Sequence, residues 1–471
     1  MRSAAAAVVS CLVLCGGCRS RVTFDRQVIA SHRMLEGVPA GFLLGAATSA
    51  HQVEGGTNND WTSWEKGRYP DGAPHVSDGG SAARAADSWN LWPQDVAALR
   101  QLGANVYRIG VEWSRLEPEE GMWDVASAMR YREMFAALVA AGVAPMVTLH
   151  HFTLPPWIAR RGGWEWEGTP AALAAFAGRA GRAFGDLVDL WCTINEPNVF
   201  VAKGYLAGQW PPGVEDPRRA ALVMRALLVG HALATAALRR EDRQDADGDG
   251  RTTRIGIAQN LRIFDPASAH PVDAIVAGGA DSFYNESFID AVATGRIRIN
   301  MPTVIEINEA YPALLGTFDY LGVNYYTREH VIGHLTGPTL YERSEADSGR
   351  RAHSDMGWEI YPEGLYRLLV RYGGHGWPLL VTESGVADRR GDVRPEFLRA
   401  HIYAVDRARA EGINVIGFIF WSLIDNFEWS HGYRGRFGLY TIDFERDPAL
   451  TRRPTAAVAT FAEAARALHR R

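Results

Sequence analysis

Eight short apolar runs punctuate the chain, and none of them alternates with polar positions. They are 41–47 (GFLLGAA), 105–111 (NVYRIGV), 143–150 (VAPMVTLH), 187–195 (LVDLWCTIN), 254–260 (RIGIAQN), 318–324 (FDYLGVN), 378–384 (PLLVTES) and 415–422 (VIGFIFWS). A strand with one face in water alternates, whereas a strand covered on both faces does not, so these runs predict buried parallel strands. The stretches between them have helical character, as in 127–142 and 170–185, each closing on glycine where helices commonly end. Eight strand-then-helix units predict an α/β fold, a single (β/α)8 TIM barrel over residues 39–471, rather than an open sheet. No internal repeat or low-complexity block divides it.

In such a barrel, chemistry gathers where strands end and loops begin. Polar residues stand at those positions: Arg108 and Glu112, His150 and His151, Asn195 and Glu196, Asn324 and Tyr326, and Glu383. Glu196 closes the fourth run and Glu383 lies in the seventh, and strands four and seven face each other across a barrel. Glycoside hydrolysis needs such a pair, one carboxyl protonated for the leaving oxygen and one ionised to meet charge at the anomeric carbon. A lone Glu at a barrel rim is more often half of an ion pair. Two at opposed strand ends, with amide and aromatic neighbours, favour catalysis.

The segments around these acids, WCTINEPN and LLVTESG, resemble the signature motifs of glycoside hydrolase family 1, the β-glucosidase family. The likeness runs from about residue 40 to the C-terminus. The family's Asn-Glu-Pro is met by Asn195-Glu196-Pro197, and its Thr-Glu-Asn-Gly by Thr382-Glu383-Ser384-Gly385, where Ser384 departs from the usual Asn. The resemblance implies a retaining enzyme with Glu383 as nucleophile, Glu196 as acid/base, and the two carboxyls about 5–5.5 Å apart. Arg108 beside Glu383 would hold it ionised, while a drier Glu196 would have its pKa raised.

The same resemblance implies a sugar-binding shell. Gln52 in TSAHQVEG and His151 in VTLHHFTLP would contact the glycone, and Asn195 its 2-hydroxyl. Tyr326 would orient the nucleophile, with Asn324 on the same face. In WSLIDNFEWSHGYRGRFGLY, Trp421 would lie beneath the glycone while Glu428 and Trp429 grip its outer hydroxyls; Trp358 would form an aglycone platform. Relatives acting on 6-phospho-sugars usually carry Ser in place of Glu428, so the resemblance implies an unphosphorylated glycone. No cofactor is implied, because the carboxylates supply the chemistry. The implied activity is hydrolysis of β-glucosides or oligosaccharides, with β-galactosides or β-fucosides as further substrates. Transglycosylation at the same site is one alternative, and a non-catalytic sugar-binding surface lipoprotein is another.

Composition narrows the rest. A net charge of −5 over 471 residues leaves no basic footprint for nucleic acid. The 15 Trp suit the apolar faces of sugars, and equally a core. His150 and His151 do not read as a metal pair, since adjacent strand residues point to opposite faces and no carboxylate completes a ligand set. Asp245, Asp247 and Asp249 have the spacing that opens a calcium loop, with Gly250 in place, but the twelfth position is Gly256 rather than Glu. The preferred reading is a polar surface loop, with weak structural calcium binding as the alternative. At the N-terminus, Arg2, an apolar run over 4–14 and small residues ending at Cys18 read as a signal peptide. LCGGC favours the lipoprotein type, with Cys18 lipidated, although Cys15 stands where Leu is usual; an ordinary cleaved signal and an uncleaved start remain open. The protein is thus expected to be exported and membrane-anchored in a bacterial envelope, or else periplasmic or secreted, with residues 19–38 as a linker. Cys192 alone lies beyond the leader, so no disulfide framework forms.

Overall fold

A computed structural model describes residues 22–301, 303–334, 341–343 and 352–468. The eight apolar runs form eight parallel strands: β1 (Leu43–Ala47), β2 (Val106–Gly110), β3 (Ala144–His150), β4 (Leu190–Asn195), β5 (Arg254–Asn260), β6 (Leu321–Asn324), β7 (Leu379–Ser384) and β8 (Val415–Trp421). Each pairs with its sequence neighbours, and β1 pairs with β8 from Leu43 opposite Gly417 to Ala47 opposite Trp421, which closes the barrel. Every residue of β4 and β7 is buried, the reason their sequences do not alternate.

A helix follows each strand: α1 (Ser88–Leu102), α2 (Val125–Ala140), α3 (Thr169–Phe184), α4 (Pro217–Glu241), α5 (Pro271–Asp281), α6 (Pro362–Gly373), α7 (Arg394–Ala410) and α8 (Ala456–Leu468). Of these, α5 packs against Ile263–Pro266 and Arg328–Gly333, and the next helix, Ser287–Thr294, buries Phe288, Ile289 and Val292 in the main core. Local chemistry sets their ends. The carboxylate of Asp124 accepts the Ser127 N–H at the start of α2, and Asp216 accepts those of Arg218 and Arg219 ahead of Pro217 in α4. The barrel interior is filled by Ala47, Val106, Met146, Leu190, Cys192, Ala258, Leu380 and Ile419, so it is a packed core with its opening at the strands' C-terminal ends. A short three-stranded sheet (Ile263–Pro266, Arg328–Gly333, Tyr341–Arg343) and a hairpin (Arg296–Met301, Ile305–Ala310) are additions that the apolar runs did not announce.

The linker expected over 19–38 is corrected by the fold, from residue 22 onward. Asp25 caps a helix, Arg26–Ser31, and Met34, Leu35 and Val38 are buried in the main core. Asp406 on α7 accepts the Leu35 N–H at 2.9 Å and pairs with His32 at 2.7 Å. A tether would leave these apolar side chains in water; packed against the barrel helices they add to its hydrophobic stabilisation. The expected signal peptide and Cys18 lie outside the described residues.

The Asp245–Asp249 turn precedes β5 at the opposite, N-terminal end of the barrel. The carboxylates that converge there are Asp189, Asp245 and Asp247, so Asp189 takes the place expected of Asp249. Asp245 accepts N–H groups of Gly248, Asp249 and Gly250, and Asp189 those of Ala246 and Asp247. Asp247 and Asp249 face Arg254 at 2.5 and 3.6 Å. These contacts make the acids the fabric of a turn.

Candidate active site

The residues expected to act on or contact the sugar meet at the C-terminal mouth. Glu383, at the end of β7, has both carboxylate oxygens engaged. Arg108 on β2 donates to Oε1 through Nη1, and the Tyr326 hydroxyl donates to Oε2 at 2.6 Å. Arg108 is itself fixed from two further strands, with Nε on Thr148 Oγ1 at 3.0 Å and Nη2 on Asn195 Oδ1 at 2.6 Å. Gly385 is dictated by packing: a Cβ there would lie 1.8 Å from the Trp421 carbonyl oxygen of β8.

Glu196 sits one residue past β4 in a left-handed conformation (φ 44°, ψ 60°) that a non-glycine residue adopts only under constraint. Its N–H bonds to the Ala258 carbonyl on β5 at 2.7 Å, and Pro197 opens the following helix, which fixes the turn. Its Oε1 accepts Asn260 Nδ2 at 2.8 Å and Asn324 Nδ2 at 2.9 Å. Asn324 in turn accepts the Thr382 hydroxyl at 2.7 Å and donates to Asn195 Oδ1 at 3.2 Å, the oxygen that Arg108 also reaches from Glu383, so one hydrogen-bond network joins the two acids. The two carboxylates therefore converge.

Their electrostatics differ. Burial, and then the charge of Glu383, push the Glu196 carboxyl up to about 7; Asn260, Asn324 and Arg108 only partly oppose this. Burial also raises Glu383, against the Arg108 guanidinium, the Tyr326 hydroxyl and Asn324, all of which favour its ionised form. Arg108 thus favours the charged form of Glu383, and burial outweighs it.

A second group of side chains makes a wall beside the acids. Gln52 is fully buried and donates from Nε2 to Asn426 Oδ1 at 3.0 Å, the Phe427 carbonyl at 2.8 Å and Glu428 Oε2 at 3.3 Å. Glu428 is pushed up to about 8 by burial and by the charges of Glu383 and Glu196, while the neighbouring Trp421 and Gln52 oppose the shift. His151 lies in a stack, its ring 5.9 Å from that of Trp421 and 6.0 Å from that of Trp429. Asn195 Nδ2 donates to His151 Nε2 at 3.1 Å, which leaves its Nδ1 as a buried group with no protein partner. Such an atom suits a sugar hydroxyl. Trp358 is half-buried, with its ring 5.5 Å from that of Tyr326.

The neighbouring polar residues have other duties. His150 points away from His151 and accepts the Trp164 indole N–H at 3.0 Å. Glu112 caps the short helix Trp113–Leu116 and accepts from Ser114 and Thr153. Three contributors escaped the sequence reading. Asn260 closes the fifth run, so the strand-end rule that found Glu196 could have found it. Asn426 and Trp210 lie in loops; Trp210 reaches the site only through packing on Phe152 and Trp429, at 4.9 and 5.7 Å.

Comparison with known proteins agrees with this geometry. A β-galactosidase of Pyrococcus woesei is 32% identical over 481 residues, covering 86% of this chain and 92% of the relative. The 6-phospho-beta-glucosidase GmuD of Bacillus subtilis is 31% identical over 452 residues, covering 87% and 94%. The solved structure of a Thermotoga maritima beta-glucosidase in complex with glucoimidazole superposes with a TM-score of 0.82 at 28% identity, covering 92% of this chain and 99% of that one. The sequence profile of glycosyl hydrolase family 1 matches residues 34–468, nearly everything the barrel contains, and the chain belongs to that family.

Proposed function

We propose that Glu383 and Glu196 are the nucleophile and the acid/base of a retaining β-glycosidase that acts on terminal, unphosphorylated β-D-glucosides. Retention by double displacement is general to the family. Glu383 attacks the anomeric carbon as the bond to the leaving oxygen breaks, and Glu196 gives that oxygen its proton. Water then attacks the glycosyl ester, passes a proton to Glu196 and releases Glu383. Charge coupling drives the exchange: the Glu383 charge helps to hold the Glu196 proton, and esterification removes that charge. The observation that carries the reading is the network through Asn195 Oδ1, which accepts from the Arg108 that holds Glu383 and from the Asn324 that holds Glu196, and so joins two acids in unlike surroundings.

The glycone follows from the wall. Glu428, Glu196 and Glu383 lie within range of one another's charges, a field that opposes a phosphate dianion. GmuD is named for 6-phospho-glucosides, so 4-nitrophenyl β-glucoside and its 6-phosphate are the discriminating pair. Glu383→Ala should abolish turnover of the unphosphorylated substrate and, with azide, regain activity with formation of the α-glucosyl azide. Wild-type activity in Glu383→Ala would remove this residue from the mechanism. We also propose export and lipid anchoring at Cys18, on the N-terminal residues alone; radioactive palmitate should label the wild type in a bacterial host and not Cys18→Ala.

A further inference from the structure

The amide of Asn260, at the end of β5, is held at both ends. Its Nδ2 donates to Glu196 Oε1 at 2.8 Å, and its Oδ1 accepts the Tyr284 hydroxyl at 2.8 Å. Tyr284 stands on the wide helical turn Ser282–Glu286, which joins α5 to the helix Ser287–Thr294; turns of that kind recur at functional sites. Asn198, two residues past Glu196, ties this turn to β5. Its Nδ2 donates to the carbonyls of Asn260 at 2.7 Å and of Tyr284 at 3.0 Å. Phe264 packs 5.7 Å from the Tyr284 ring, and the Arg262 guanidinium, bridged to Glu329, lies 5.2 Å from its centre.

Which end of an amide faces a carboxyl decides which protonation state it favours. An N–H donor favours the ionised acid, whereas a carbonyl oxygen accepts only from the protonated one. The Tyr284 hydroxyl holds the carbonyl end of Asn260 and so turns the N–H end toward Glu196. Asn324 Nδ2 donates to the same Oε1 at 2.9 Å, its own carbonyl end held by the Thr382 hydroxyl. With two N–H groups on Oε1, the proton that the leaving oxygen needs belongs on Oε2.

We propose that Tyr284 is a positioning residue for the acid/base step, acting through Asn260 to keep the Glu196 proton on Oε2 and the ionised form within reach for the second displacement. The assignment rests on the glycosidase reading of Glu196. The charged and titratable groups that bear on Glu196 are Glu383 on β7, Arg108 on β2, Tyr326 beyond β6 and Glu428 beyond β8. Tyr284→Phe alters none of these side chains.

Without the hydroxyl, the Asn260 amide can turn and accept a proton from Oε1, which stabilises the protonated acid on the wrong oxygen. In Tyr284→Phe the alkaline limb of kcat/KM for cellobiose should move up by about one pH unit, and the plateau should fall about tenfold. With 2,4-dinitrophenyl β-D-glucoside, whose leaving group departs without a proton, kcat/KM should stay within about twofold of wild type. In an Asn260→Ala background, Tyr284→Phe should change neither substrate's kcat/KM nor the limb. A limb's position does not depend on how much of a variant folds, so an unmoved limb overturns the assignment. An equal loss with both substrates, or an undiminished Tyr284→Phe effect in the Asn260→Ala background, overturns it too. A wild type that cleaves neither substrate overturns the glycosidase reading instead.

Discussion

The two ends of the barrel use carboxylates in opposite ways. At the base, Asp245 takes its hydrogen bonds from N–H groups three to five residues further on, and Asp189 closes the same turn. At the mouth, Glu196 and Glu383 take theirs from side chains on other strands, Asn260, Asn324 and Arg108, and from Tyr326 just past one. A carboxylate bound to the backbone of its own turn is committed to shape, because losing those bonds opens the turn. One held by distant side chains keeps its place when it gains or loses a proton. The role of an acid in this molecule follows from where its partners come from.

The largest break in that contrast is at the mouth. With cellobiose, whose leaving oxygen needs a proton, Glu196→Gln should lower kcat/KM by about 10³-fold. Wild-type kcat/KM should fall as pH rises through about 7, because only the protonated acid can donate, and the variant should lose that limb. A limb retained in the variant would assign the proton to another group. Tyr326→Phe is the next largest change. It removes one hydrogen bond to a charged acceptor, for which a 10- to 100-fold loss of kcat is expected, on the order of 1.5–3 kcal/mol. Because the hydroxyl favours the ionised form, its loss should raise the Glu383 pKa and move the acidic limb of the pH–rate profile upward; an unmoved limb would separate Tyr326 from the nucleophile. The smallest effect belongs to the base. Asp245→Ala leaves three N–H groups without their acceptor, and by analogy with helix caps should cost about 1 kcal/mol, which lowers Tm by about 1–3 °C in calorimetry. Its kcat/KM should stay within about twofold of wild type, and a large loss of activity would mean that the two ends are coupled.

Much of this was legible along the chain. The runs at 187–195 and 378–384 name β4 and β7, since burial on both faces leaves its mark residue by residue, and strand ends locate Arg108, Asn195, Glu196, Asn324 and Glu383. The linker misreading has the opposite origin. Met34, Leu35 and Val38 are too few to announce an element, and only the barrel surface gives them somewhere to pack. Asp189 likewise carries no sign that it completes a turn formed at 245–249.

The sequence alone determined the eight strands and the place of Glu196 and Glu383 at the ends of the fourth and seventh, because periodicity and strand-end position are local properties of a chain. Only the tertiary structure decided that Asn195 Oδ1 joins Arg108 to Asn324, that burial and the charge of Glu383 push Glu196 up to about 7 and that Trp210 packs on Trp429. Each of those depends on desolvation and on charges brought together from distant parts of the chain, and neither exists until the barrel closes.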